Sequence, residues 1–264
     1  MPKIHLLIID PQFDFCNPRG ALYVNGADED SKRLANFIKR CKDKIDDIHV
    51  TLDSHHLLDV AHPLMWINSS GQHPNPFTII SHADLIGGLW TTINPAWNQR
   101  MIDYTKALES GGRYPLCIWP PHCLIGSEGY AVQKDVFEAL LEWEKSPGQV
   151  HYVTKGSNMW VEHYSAVKAE VSDPDDDGTL INFDLIKTLQ EADIVAITGQ
   201  ALSHCVANTV RDIADNFGDE NIKKLYLLED TSSNVTGFES LGTDFVKDLK
   251  ARGMNVVKST DFLI

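Results

Sequence analysis

The chain has 264 residues, 43% of them hydrophobic and 23% charged, which suits a globular protein with material for one large core. Its formal charge of −14 argues against a nucleic-acid partner, which calls for clustered Lys and Arg, and against an anionic membrane surface. Five cysteines (Cys16, Cys41, Cys117, Cys123 and Cys205) lack a repeated spacing, so a secreted disulfide framework is not expected. The opening MPKIHLLIIDPQFDF places acids too early for a secretory signal, and no run of about eighteen apolar residues offers a membrane span. A cytoplasmic location is expected.

Taken in chain order, residues 3–10 (KIHLLIID) form an apolar run that ends in Asp10 and predicts a buried strand. Leu34, Phe37, Ile38 and Cys41 recur at helical spacing within 27–45, and 48–53 (IHVTLD) predicts a second strand, again ending in Asp. Residues 63–115 break the rhythm: they are rich in Trp, Pro, Asn and Gly, with one helix expected over 97–108. So long an irregular stretch is expected to be an insertion that serves as a lid or pocket wall.

Residues 115–119 (PLCIW) predict a third strand and 131–144 a helix. A strand over 149–155, a helix over 160–171 and another over 183–192 come next. A strand over 193–199 is followed by a helix from about 203 to 217, a strand over 223–228, a helix over about 240–252 and a strand over 254–257. This alternation predicts an α/β protein with three α/β/α layers around a central, mainly parallel sheet. No linker divides the chain, so one domain over residues 1–264 is expected, carrying the insertion at about 63–115.

Ligands of open parallel sheets sit beyond the carboxyl ends of the strands. Asp10, Asp53, the WPPHC segment ending at Cys123, Lys155 and the loop before Cys205 all fall there. Cys205 lies in GQALSHCVANTVRD, at the first turn of a helix, where the helix terminus and a nearby lysine favour a thiolate and backbone N–H groups face a developing oxyanion. A neighbouring carboxylate such as Asp10 is placed to take the thiol proton and hand it to a leaving amine. His204 is adjacent in sequence, so its ring need not face the sulfur. Asp53, His55, His62 and His122 supply one carboxylate and three imidazoles, a donor set suited to Zn²⁺, Fe²⁺ or Mn²⁺; His56 competes with His55. The acidic run DPDDDG over 173–178 lacks the glutamate that closes a calcium loop and reads as a solvated turn.

With these residues in view, the chain resembles the isochorismatase-like cysteine hydrolases and, within them, the nicotinamidases. The matching pieces are LIIDPQFDFC, TLDSHHLLDVAHP, IWPPHCLIGS, VTKG and ITGQALSHCVANT. The resemblance implies Asp10 as general base and acid, Lys155 as its electrostatic partner and Cys205 as the attacking thiolate. It implies an oxyanion hole from the N–H groups of Ala201 and Cys205, with a cis peptide between Gln200 and Ala201. It further implies a divalent metal, zinc first, held by Asp53, His55, His122 and His62, and a ring flanked by Phe15 and Trp119, with Tyr164 nearby. Nicotinamide is the leading substrate under this resemblance. A different small amide, or a non-catalytic binding module on the same scaffold, is the alternative, and a homo-oligomer is left open. The segment between His62 and His122 is far longer than in compact nicotinamidases, which bears on pocket shape.

Overall fold

The structure, a computed structural model, describes residues 2–111, 113–146 and 148–263. Six strands build one sheet: β1 (Ile4–Ile9), β2 (Asp47–Asp53), β3 (His151–Lys155), β4 (Ile194–Gly199), β5 (Leu225–Leu228) and β6 (Asn255–Val257). Their order across the sheet is β6-β5-β4-β1-β2-β3, and every pairing is parallel. All of β1 is buried, as a central strand covered on both faces must be.

Alternate residues of β1 feed two cores. Leu6 and Ile8 pack with α1 (Ala27–Cys41) and α3 (Lys134–Trp143), whereas Leu7 and Ile9 pack with the other face. That other face carries α4 (Phe183–Gln190), α5 (Ala207–Phe217) and α6 (Glu239–Ala251), and α2 (Asn98–Gly111) joins its core from the insertion. The α/β/α layering is therefore as expected. α1 shows why its residues choose a helix: Leu34, Phe37, Ile38 and Cys41 share one buried stripe, with Asp28, Glu29 and Asp30 in the first turn and Lys39 and Arg40 in the last to complement the dipole.

Two expectations are corrected. Residues 115–119 do not join the main sheet; only Leu116–Cys117 is a strand, paired antiparallel with Ile79–Ile80. Residues 160–171 are not a helix. Val161 to Val167 are all buried, and a helix against one surface cannot bury consecutive residues all round. Their backbone is satisfied by side chains instead: Tyr104 Oη accepts from the N–H of Glu162 at 2.7 Å and Thr209 Oγ1 from that of Ala166 at 3.0 Å. The insertion is packed. Its Met65, Trp66 and Ile80 are fully buried in the core shared with α5, and each such side chain contributes about 1.5–3 kcal/mol.

Candidate active site

Register brings the strand ends together. Asp53 closes β2 directly opposite Lys155, which closes β3, and Asp10 follows β1 with φ at 46°. Lys155 Nζ lies 3.0 Å from Asp10 Oδ2, 2.9 Å from Asp53 Oδ1 and 3.6 Å from Cys205 Sγ, and donates to the carbonyl of His163 at 3.0 Å. Thr51 donates its hydroxyl to Asp10 Oδ1 at 2.5 Å and accepts from the Asp10 N–H. Gly156 follows with φ at 81°; a Cβ there would stand 2.8 Å from Asp53 Oδ1.

Cys205 sits in a wide π turn over Leu202–Val206, just after a cis peptide between Gln200 and Ala201. The turn leads into α5, so the helix expected from 203 begins as α-helix only at Ala207. The expected depression of the thiol pKa is not what the site produces. Burial pushes the Cys205 thiol well up, Lys155 opposes that, and Asp10 and Asp53 add to it. Burial also raises Asp10, with Lys155 pulling the other way. On Lys155, burial works against the charge, but the two carboxylates outweigh it and hold the ammonium well above its ordinary value.

Beside this group, donor atoms of Asp53, His55 and His122 lie within 4.8 Å of one another. His55 Nδ1 is bonded to Asp59 Oδ2 at 2.9 Å, which leaves Nε2 3.1 Å from Asp53 Oδ2. His122 Nδ1 donates to the carbonyl of Pro120 at 2.8 Å, which leaves its Nε2 3.5 Å from the same Asp53 oxygen. Each imidazole is thus oriented by a partner on its far nitrogen, the arrangement that fixes metal-ligating histidines. Burial opposes charge on His55, yet Asp53 and Asp59 override it and hold its pKa well above the ordinary value. The same field favours a cation, so donor set and field both fit a divalent metal. His62 is brought alongside but is aimed differently: Nε2 faces Nδ1 of His122 at 3.4 Å instead of converging with the three donors.

The cavity over Cys205 is lined by Phe15, Trp119 and Tyr164, with Leu22 and Val24 on one side and Glu162 and His204 on another. Trp119 Nε1 donates to Tyr164 Oη at 3.2 Å. Among the described residues the lining draws none from 63–115. The insertion acts at one remove, with Phe77 edge-on to Trp119 at 5.8 Å and Tyr104 beneath Glu162. The run 173–178 is a largely solvated turn as expected, anchored at Asp173, which is buried and bonded to Arg100 and Asn158.

Four residues of the site escaped the sequence reading. Gln12 clamps Asp53, donating to its carbonyl at 2.7 Å and accepting from its N–H at 2.8 Å. Asp59 orients His55, a relation the i,i+4 spacing in DSHHLLD could have signalled. Asp14 accepts from Cys123 N at 2.7 Å and from Ala21 N at 2.9 Å, which ties the His122 loop to the strip that carries Leu22. Glu162 gave no signal, since its segment reads as a helix. It lines the cavity with Oε2 unpartnered, and burial raises its pKa to about 8.

No family model matches the chain, and no curated protein matches it by sequence. Solved structures do match. An Acinetobacter baumanii nicotinamidase/pyrazinamidase aligns over 100% of this chain and 99% of its own, at 21% identity and a TM-score of 0.67. The yeast nicotinamidase bound to the inhibitor nicotinaldehyde covers 97% and 99%, at 18% identity and 0.67. A Pyrococcus horikoshii pyrazinamidase in complex with zinc covers 97% and 99%, at 20% identity and 0.58. In fold, the chain is an isochorismatase-like α/β/α protein built as these nicotinamidases and pyrazinamidases are.

Proposed function

We propose that the chain is a cysteine-dependent hydrolase of small aromatic amides, converting nicotinamide to nicotinate and ammonia. The observation that carries this reading is the convergence of Asp10 and Lys155 behind Cys205, which itself lines a cavity with aromatic walls. Asp10 takes the Cys205 proton as the sulfur attacks the carboxamide carbon, forming the C–S bond and moving the carbonyl π pair onto oxygen. The N–H groups of Ala201 and Cys205 receive that oxyanion. As it collapses the C–N bond breaks, and the proton held by Asp10 passes to the departing nitrogen, releasing ammonia. Water then attacks the thioester with Asp10 as base; the C–S bond breaks, acid leaves, and the sulfur regains its proton. Lys155 stays charged throughout and offsets the negative charge shared by Asp10 and sulfur.

Asp53, His55 and His122 are the residues that would hold a divalent metal, with zinc first and Fe²⁺ or Mn²⁺ as the other candidates. When bound it supplies a Lewis-acid anchor for a pyridine nitrogen, while Phe15 and Trp119 flank the ring. The zinc in the P. horikoshii structure and the inhibitor in the yeast one support this reading. The test is ammonia release from nicotinamide, pyrazinamide and benzamide, with and without chelator. Turnover of a heteroaromatic amide that is lost in Cys205→Ala is expected; turnover that survives Cys205→Ala overturns the mechanism.

A further inference from the structure

A second group of metal donors stands at the opposite end of the sheet, and the reaction above does not use it. His5 is fully buried in the otherwise apolar run IHLLII of β1. Burying an imidazole in such a strand is costly unless something binds it. The register sets His5 opposite Asp47 on β2, and places His49, two residues on, opposite His151 on β3. With the strand period of two, the four side chains share one face of the sheet.

Their donor atoms converge. His5 Nδ1 and His49 Nε2 face each other at 3.3 Å, Asp47 Oδ2 lies 3.7 Å from His49 Nε2, and all three donors fall within 4.8 Å of one another. A tetrahedral site with metal–nitrogen bonds of about 2.0–2.1 Å sets its donors roughly 3.3 Å apart. His151 stacks on His49 with centroids 5.4 Å apart and reaches Asp47 Oδ1 at 3.2 Å, at the mouth. The other ring nitrogen of His5, Nε2, has no hydrogen-bond partner. A cavity bordered by Asp47, His49 and His151 and by Asp184 and Thr188 of α4 opens onto the group.

We propose that His5, Asp47 and His49 bind a divalent transition-metal ion, with His151 over the entrance. Two or three imidazoles and a single carboxylate select zinc, cobalt, nickel or copper over magnesium or calcium, which demand oxygen shells. Along β2 the group lies roughly 13 Å (His49) to roughly 20 Å (Asp47) from Asp53, so the ion takes no part in chemistry at Cys205. Its effect is mechanical: it ties β1 to β2 where both strands begin, and binding energy there adds to folding energy. The proposal is independent of the amide hydrolysis proposed above.

The full chain, stripped with chelator, is titrated with ZnCl₂ and with CoCl₂, with calorimetry for stoichiometry and visible absorption for cobalt. Asp47→Asn and His49→Gln are each expected to take up one equivalent fewer than the parent and to lose part of its metal-induced rise in melting temperature. His122→Asn, at the other end, is expected to leave this uptake intact. Stoichiometry in both variants equal to that of the parent overturns the proposal and makes the group a hydrogen-bonded histidine pair only. Should His49→Gln fail to fold, Asp47→Asn decides alone, since its side chain lies partly in solvent.

Discussion

At the carboxyl end of β2, His55 sits between Asp53 and Asp59; at its amino end, His49 sits beside Asp47 and against His5. The two imidazoles are almost equally buried, yet burial lowers His49 to about 4 while two buried carboxylates carry His55 well above its ordinary value. Depth alone expels charge, and pairing readmits it. The carboxyl end is therefore an array of interlocked charges, with Lys155 held between Asp10 and Asp53, whereas the amino end is a nearly neutral nest of donors.

The largest separation of the two ends is expected from Cys205→Ala: amide hydrolysis should fall by at least about 10⁴-fold, with metal uptake at the amino end unchanged. Hydrolysis that persists breaks the contrast. Next is Lys155→Met, which strands two buried carboxylates beside each other; denaturant unfolding should show a loss of about 3–5 kcal/mol. A neutral result would mean that the charges at this end are not interlocked.

Asp59→Asn is expected to weaken metal affinity at the carboxyl end about 10–100-fold without touching the amino end, read by competition with a chelating dye. A further effect, spread over several pH units, concerns Glu162. Its folded pKa of about 8 stands above the ordinary 4.5, so between those values the folded chain keeps a proton that the unfolded chain has released. Stability should fall as pH rises through that window, by at most ~1.4 kcal/mol per pH unit, and Glu162→Gln should flatten the slope in pH-resolved melts.

Much of this architecture was legible in the residues. Apolar runs ending in Asp10 and Asp53 announce parallel strands and their shared edge, because a central strand shows its burial in its composition. The packing of 63–115 and the path of 160–171 were not legible. Both depend on tertiary satisfaction of backbone groups, as where Tyr104 caps the N–H of Glu162, and no local period encodes that. The upward push of burial on the Cys205 thiol was not legible for a related reason. A helix start and a lysine are visible in sequence, but the depth that outweighs them is not. The histidines of β1 and β2 passed without notice because only the register puts His5 beside His49.

Asp14 carries a consequence for how such a pocket diversifies. One of its oxygens holds the strip that bears Leu22 and the other holds the loop that bears His122, while Gly20 and Gly129 leave no room for a larger side chain against it. The hydrophobic wall and the metal-donor wall are thus riveted together. A substitution that shifts one drags the other, so selectivity for a bulkier ring cannot be tuned on that side without detuning the donors. Tyr164 is tied in the same way, since it accepts from Trp119 Nε1 at 3.2 Å and Trp119 opens the segment that bears His122.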